Sequence, residues 1–416
     1  MALGGASVAI TQAGVDLEFF DASGVLPAYD LSVEHVDARV RLGASAPQNG
    51  SLTAGRIRHK SAEPAFAPLS LKVGLKERGE TINFSGALKA ASEKATLGLE
   101  GSHDLGIGAG IASFQLGPVV FAPGVVQPQD FAPPLYHLLL KTIGQISSSA
   151  RVAWGPDGIQ SQIGEAKLST DKLRTVEITM EQAEVNIEFA NLFPPQTVGP
   201  RRIRIGCLDD GVPLTHGIIL LDLKSPKQID VDIERFELFG GLISSQKLSI
   251  DPTAQEFEAV LKVTDIDLAS ILAFAEFGEL RATGMLEGVI LISYRNGELT
   301  VHDGLLQTGA KGVVLKYKPH ALDKALEGAN KSTWLAVKAL SNFAYDEIFI
   351  RINEIEAEEL RLDIKISGKN VELYGGLPFE FNIKVEVPIR QIIQENLAPP
   401  QLPPDVQDLI ERSRQQ

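Results

Sequence analysis

Cysteine is almost absent from the 416-residue chain: Cys207 stands alone, which excludes an internal disulfide and a cysteine-built zinc site. Positive charge is also in deficit, with 53 Asp and Glu against 39 Lys and Arg and a formal net charge of −14. A chain of that sign repels phosphates, and no basic run with interleaved aromatics offsets the repulsion, so nucleic acid is excluded as a partner. Aromatic residues make up only 6%, so apolar surface has to come chiefly from Val, Ile, Leu and Ala. Catalytic signatures are missing too. His35, His59, His103, His137, His216, His302 and His320 form no HxH, HExxH or HxxxH pair, and neither a GxSxG elbow nor a GxxxxGK[ST] loop occurs. No metal, cofactor or enzyme chemistry is implied.

Targeting and spanning segments are lacking as well. Residues 1–14 have neither a basic n-region nor an apolar h-region, and residues 15–20 read as an interior strand, so the chain is expected to begin inside a longer protein. Residues 105–126 carry no charge, but their glycines and prolines, with Ile107, Ala109 and Ile111 in alternation, point to strand and loop rather than a membrane helix.

What the chain does have is period-two alternation, the mark of strands with one buried face. Leu69, Leu71, Val73 and Leu75 alternate with polar residues, and after the turn at 77–80 Ile82, Phe84, Gly86 and Leu88 return as a hairpin. Val185, Ile187 and Phe189 repeat the pattern, as do Ile229, Val231 and Ile233, then Phe257, Ala259, Leu261 and Val263. Asn296-Gly297 suits a tight type I′ turn. The clearest strands come last: Leu360, Leu362, Ile364 and Ile366, then Phe379, Phe381, Ile383, Val385 and Val387, each set separated by charged or amide residues. A one-residue slip would turn such a set into water at about 1.5–3 kcal/mol for each large side chain, so the register is strongly specified.

Helices are expected to be few and short. The spacing predicts one over residues 133–146, with Leu135, Leu138, Leu139 and Ile143 on one face, and another over residues 268–277, capped by Asp267 and stopped by Gly278. Two more are expected between residues 320 and 340, and a weak one over 404–412. Proline-rich breaks fall at 194–200 and 397–404. The strand pattern continues across the first, so the expected organisation is a continuous sheet region over residues 1–396 and a tail over 397–416.

Other motifs read as structural. Gly106-Ile-Gly-Ala-Gly lacks the strand-to-helix context of a dinucleotide loop and reads as a glycine-relaxed strand. The acidic stretch 354–359 reads as a solvated strand edge or loop. Phe239-Gly240-Gly241 and Tyr374-Gly375-Gly376 read as sharp bends, and Arg201, Arg202 and Arg204 as a solvated loop or strand edge. The apolar face has two readings: the sealed core of a sandwich or barrel, or an open, curled sheet whose interior accepts acyl chains at about 0.8 kcal/mol per buried methylene. Alternation alone leaves both open.

A family resemblance bears on that choice. Between about residues 107 and 393 the chain resembles the C-terminal region of YdbH-type proteins, members of the AsmA-like group of bacterial envelope proteins, a family also catalogued under a dicarboxylate transport label. The resemblance rests on Phe121-Ala-Pro-Gly-Val-Val-Gln-Pro, Leu238-Phe-Gly-Gly-Leu, Val263-Thr-Asp-Ile-Asp-Leu-Ala-Ser-Ile-Leu with Leu280-Arg-Ala-Thr-Gly-Met-Leu-Glu-Gly-Val, and Phe343-Ala-Tyr-Asp with Tyr374-Gly-Gly-Leu-Pro-Phe, in that order. It implies a mainly β fold: an elongated, twisted, U-shaped antiparallel sheet with an apolar concave groove and a few short helices.

It also implies phospholipid transport between the inner and outer membranes of a Gram-negative envelope, across the periplasm. An inner-membrane anchor is expected in an N-terminal part that this chain lacks. The implied partner is a small outer-membrane lipoprotein that adds strands at the C-terminal sheet edge, with residues 379–387 as the last strand to offer. The groove-facing residues would be Phe379, Phe381, Ile383, Val385, Val387, Leu360, Leu362, Ile364 and Ile366, with Val185, Ile187, Phe189, Phe257, Leu261 and Val263. Competing readings are an envelope assembly factor with a closed β core and, with little support, a hydrolase of envelope polymers with paired carboxylates. Dicarboxylate transport has no arginine cluster to serve it.

Overall fold

The computed structural model describes residues 5–11, 14–27, 30–42, 49–61, 64, 66–90, 94–137, 139–175, 178–209, 212, 214–251, 254, 256–274, 280–295, 298–308, 313–317, 331–356 and 359–388. The protein is mainly β. Its strands belong to one 25-stranded antiparallel sheet, not closed into a barrel, and two α-helices occur among the described residues.

In chain order the first strands are β1 (Gly5–Thr11), β2 (Gly14–Leu26), β3 (Leu31–Leu42), β4 (Asn49–His59), β5 (Leu69–Arg78), β6 (Thr81–Ala90), β7 (Thr96–Asp104) and β8 (Ala109–Phe121). They continue as β9 (Leu139–Gly155), β10 (Gly158–Thr175), β11 (Thr179–Leu192), β12 (Pro195–Thr197), β13 (Arg201–Asp209), β14 (Leu214–Ser225), β15 (Gln228–Leu238), β16 (Gly241–Ser245) and β17 (Leu248–Ile250). The last are β18 (Glu256–Asp267), β19 (Leu280–Ala282), β20 (Met285–Arg295), β21 (Glu298–Thr308), β22 (Val313–Tyr317), β23 (Phe343–Glu356), β24 (Glu359–Lys369) and β25 (Pro378–Pro388). Helix α1 (Leu268–Phe274) precedes β19, and α2 (Lys331–Leu340) precedes β23.

Two compact units are present. One draws on the described residues within Met1–Leu208, His216–Val231 and Ser249–Pro252, the other on those within Asp209–Thr215, Asp232–Leu248 and Thr253–Gln416. In the first, β1 to β11 form an unbroken meander, each strand pairing with its neighbour in sequence. In the second, the pairing runs β15, β16, β18, β20, β21, β23, β24, β25, while short β19 pairs with β22 and β22 with β23.

The alternating segments form strands, and residues 69–88 form the expected hairpin. The hairpin of β5 and β6 pairs Leu75 with Phe84 and Leu71 with Leu88 around Gly79-Glu80, and β24 and β25 pair Ile364 with Ile383 and Leu362 with Val385. Asp267 caps α1, accepting hydrogen bonds from the Ala269 and Ser270 amides at 3.1 and 3.2 Å. Phe239-Gly240 and Tyr374-Gly375-Gly376 are turns with left-handed backbone, φ reaching +77° at Gly240 and +81° at Gly376. The Gly106-Ile-Gly-Ala-Gly run is the turn from β7 into β8 rather than strand throughout.

The helix expected over 133–146 is not formed. A 3-10 turn, Pro133–His137, precedes β9. The apolar spacing there fits one helical turn, but the following β-branched pair Thr142-Ile143 and the ladders offered by β8 and β10 on either side favour a strand. Of the two helices expected within 320–340, α2 occupies Lys331–Leu340 and residues 318–330 lie outside the described ones. So do the Asn296-Gly297 turn, the end of the helix at 275–278, and the tail at 397–416 with its helix at 404–412.

Each unit has a small sealed core beside one edge of its sheet. In the second unit Val263, Ile266, Leu268, Ala282, Leu286, Leu315, Phe343, Tyr345, Ile348 and Ile366 pack together under α1 and the β19–β22 pair. The Tyr345 hydroxyl donates to the Thr283 carbonyl, pinning β23 to the segment after β19, and Asn370 donates from Nδ2 to the Lys338 and Ala339 carbonyls at 3.1 Å, holding the end of α2. In the first unit the connection from β8 to β9 folds onto the sheet, so that Val119, Phe121 and Val126 form a cluster with Leu116, Phe131, Ile146 and Leu168. The Gln127 side-chain amide pairs with β9 as a strand backbone would: its Oε1 accepts from the Thr142 amide at 2.7 Å and its Nε2 donates to the Thr142 carbonyl at 3.0 Å. The Ala67 amide donates to the Phe131 carbonyl at 2.8 Å, tying the same connection to the one between β4 and β5.

On the opposite face, ion pairs link neighbouring strands, as Arg41 with Asp16 and Lys365 with Glu380, or residues two apart on one strand, as Lys167 with Glu165. Hydrogen bonds from Arg41, Lys167 and Lys365 hold the carboxyls of Asp16, Glu165 and Glu380 below the usual carboxylate range. Their contribution is present above ordinary carboxylate pKa values and is lost as pH falls through the lowered ones. Asp16 and Glu165 are half-buried and Glu380 is exposed, and all three pair with exposed cations, so each contributes little.

Two stability outcomes follow from these anchors. Gln127→Ala strands two backbone groups of β9 and is expected to cost about 2–4 kcal/mol in chemical denaturation, whereas Gln129→Ala, which removes a buried Oε1 without a partner, is expected to cost less than about 1 kcal/mol; equal losses would reject the anchor. Burial pushes the Tyr345 phenol up to about 12 from 10.0, so its neutral form contributes fully below pH 10 and the contribution disappears as pH rises through 12. Tyr345→Phe is expected to lower stability by about 1–3 kcal/mol at neutral pH and to show a shallower alkaline loss than the parent across that window.

Candidate functional site

Directly opposed residues of an antiparallel ladder share a face, so the registers define what each face carries. In the second unit one row reads Phe236, Ile243, Val263, Gly288, Leu306, Ile350, Ile364, Ile383 across eight strands, and the next reads Leu261, Ile290, Gly304, Ile352, Leu362, Val385. The first unit has the same construction over ten strands: Phe19, Ala38, Leu52, Val73, Gly86, Leu99, Phe114, Ala150, Gly164, Phe189. The opposite face alternates in register. One row of it in the second unit reads Lys262, Val289, Leu305, Arg351, Asp363, Lys384.

The residues singled out from the sequence all lie on these apolar faces where their side chains are described. Leu362, Ile364, Phe379, Phe381, Ile383 and Val385 are half-buried, and their strand neighbours Lys365, Glu380, Asn382, Lys384 and Glu386 are exposed. Val185, Ile187 and Phe189 are half-buried opposite Leu168, Ala166 and Gly164, and Phe257 and Leu261 are half-buried opposite Tyr294 and Ile290. Val263 and Ile366 differ: each is 4% exposed and belongs to the sealed core. The backbones of Leu360 and Val387 oppose each other in β24 and β25, but their side chains lie outside the described residues. The structure thus brings the residues of β18, β24 and β25 onto one face of the second unit and those of β11 onto the face of the first.

Half-burial is the telling property of the face. Inward side chains of a sealed sandwich are covered by a second layer, whereas most residues in these rows keep a substantial part of their surface accessible. Covering that surface with hydrocarbon releases about 25 cal/mol per Å² of apolar area. The face needs no directional partner to bind an acyl chain.

Several face residues escape periodicity arguments. Phe84 lies flat across Gly101, where a Cβ would stand 2.4 Å from its Cζ, and Trp154 lies over Gly110 in the same way. Trp154 stacks on His103 with ring centroids 6.0 Å apart and on Phe84 at 6.4 Å, and its indole N–H donates to His103 Nδ1 at 3.1 Å. Only the pairing of β6 to β9 brings these four segments together. The alternation Leu97, Leu99, Gly101, His103 is the one local signal for them. Arg201, Arg202 and Arg204 sit in β13; Arg202 and Arg204 are exposed and Arg201 pairs with Glu188 at 3.3 Å.

Among the described residues no group of three or more His, Cys, Asp or Glu could hold a metal ion, and no helix is long and apolar enough to cross a membrane. Comparison with curated proteins and with solved structures gives no match. A family model does match: YdbH-like, intermembrane phospholipid transport protein YdbH, over residues 11–414. With an accessible apolar face running through a long antiparallel meander and a match over nearly its whole length, the chain belongs to the YdbH-like family of intermembrane phospholipid transport proteins.

Proposed function

We propose that the apolar face is the path itself, carrying phospholipid acyl chains between the inner and outer membranes while headgroups stay in water. The observation that supports this is the row Gly288, Leu306, Ile350, Ile364, Ile383, apolar or glycine at every strand and half-buried throughout. A chain held by area rather than by hydrogen bonds can slide, because neighbouring positions along such a row offer similar apolar surface. The role is transport without turnover chemistry.

Finer points belong to the same proposal. The protein works in the periplasm, anchored at the inner membrane. Among the described residues β25 pairs on one side only, with β24, which leaves an edge on which a small outer-membrane lipoprotein would add a strand.

A photo-crosslinking amino acid at Ile364 or Ile383 is expected to capture phospholipid in cells, and one at Lys365 or Lys384, on the opposite face, is not. Capture only from the lysine positions would sink the reading. Ile364→Asp together with Ile383→Asp should reduce co-purifying phospholipid several-fold while leaving the strand signature in circular dichroism intact; unchanged lipid content would favour a closed-core assembly role instead.

A further inference from the structure

We propose that in each unit the phospholipid headgroups ride along the edge where the strands are joined by tight hairpins, with Trp154 and Tyr294 at the boundary between headgroup and acyl chain. The inference rests on the reading of the apolar face as the acyl path and adds which of its edges faces water.

The two edges of each sheet are built differently. On one edge of the first unit β5–β6 and β9–β10 are joined by two residues each, Gly79-Glu80 and Pro156-Asp157. On the other, β8 and β9 are joined by the long connection that Gln127 fastens across the face. In the second unit two residues join β20 to β21 and β23 to β24, whereas α1 with β19, and β22 with α2, form the connections at the opposite edge.

Burial follows that asymmetry. Beside the long connections the face is sealed: Phe121 and Val126 are 4% and 3% exposed in the first unit, and Leu286 and Ile348 are 1% and 2% exposed in the second. Towards the hairpins it opens, and Phe84, Trp154, Phe257 and Tyr294 are only half-buried. A phospholipid cannot desolvate its charged headgroup without heavy cost, so an acyl chain on this face has to leave its headgroup at an edge open to water. Among the described residues the hairpin edge is the one that offers that.

The side chains at that edge have matching chemistry. Trp154 with His103 in the first unit, and Tyr294 stacked on Phe257 with ring centroids 5.3 Å apart in the second, each join an apolar ring to a polar group. Such residues favour the boundary between hydrocarbon and water. At the sealed edge Phe121 and Phe343 are buried, and the Tyr345 hydroxyl is taken up by the Thr283 carbonyl rather than turned to water.

The chain supplies its own reporters, since it has two tryptophans: Trp154 near the hairpin edge, and Trp334 on α2 at the opposite edge of its own unit. The full chain carrying Trp334→Phe, and separately Trp154→Phe, is loaded with phosphatidylcholine bearing a nitroxide on the choline or deep in an acyl chain, and quenching is read per bound lipid by co-elution. The expected result is at least threefold stronger quenching of Trp154 than of Trp334 by the choline label. Acyl-label quenching of Trp154 with a choline label that favours Trp334, or that quenches the two equally, would overturn the edge assignment and leave the acyl path standing. No co-eluting lipid and no quenching by either label would overturn both. Should Trp154→Phe fail to fold, the ratio of choline-label to acyl-label quenching at Trp154 in the other variant decides alone: a ratio above one supports the edge assignment, and a ratio below one rejects it.

Discussion

A shift of one residue in any strand pairing would exchange the two faces of this sheet, because successive side chains of a strand point to opposite sides. The whole apolar surface exists only while every register holds. In a meander each register is set against its sequence neighbour, and bulges at Phe19–Ala22, Ala54–Ile57, Leu116–Val119 and Val263–Ile266 absorb single-residue mismatches without losing the face. Charged cross-strand pairs such as Lys365 with Glu380 and Arg41 with Asp16 lie on the opposite side. Slipping would bury those charges and expose the apolar rows together, a double cost that fixes alignment more firmly than either term alone.

The asymmetry between sealed and accessible parts of each face reconciles stability with an exposed apolar surface. A sheet left entirely uncovered would bury too little apolar area to fold securely and would invite aggregation. Here the covering elements are confined to one edge of each unit, where Tyr345, Asn370 and Gln127 fix them by hydrogen bonds to main-chain groups. Packing at that edge supplies the rigid support, and the remaining rows stay half-covered. The same side-chain types, Ile and Leu above all, serve as core in one place and as accessible surface in the other; only the neighbouring connection differs.

The strands themselves were legible because each carries its period in its own residues: β24 and β25 alternate without a break, and nothing outside them is needed to see it. The apolar face could be read in the same way from Leu362, Ile364, Phe381 and Ile383. Residues 139–146 were not legible. Leu135, Leu138, Leu139 and Ile143 satisfy a helical spacing locally, and the strand is favoured by partners in β8 and β10 that lie far away in sequence, Thr175 opposite Leu139 for example. The aromatic group of Phe84, His103 and Trp154 escaped for a related reason: it is assembled from three strands, and the glycines that let the rings lie down, Gly101 and Gly110, carry no hydrophobic signal at all. Whether Ile366 is core or accessible face is likewise set by α1 and β22, not by β24.

The strictly sequential pairing of β1 to β11 has a consequence for how such a chain can arise and change. Almost every ladder closes a short loop, so strands can join the sheet one after another as they are synthesised, without waiting for a distant segment. In its ladders each of these strands meets only its two neighbours, as the units of a solenoid do. Duplicating or deleting one hairpin would leave the remaining registers untouched and change the sheet by about 9–10 Å across its strands. Reach can therefore be adjusted in small, independent increments by copying a unit the fold already contains.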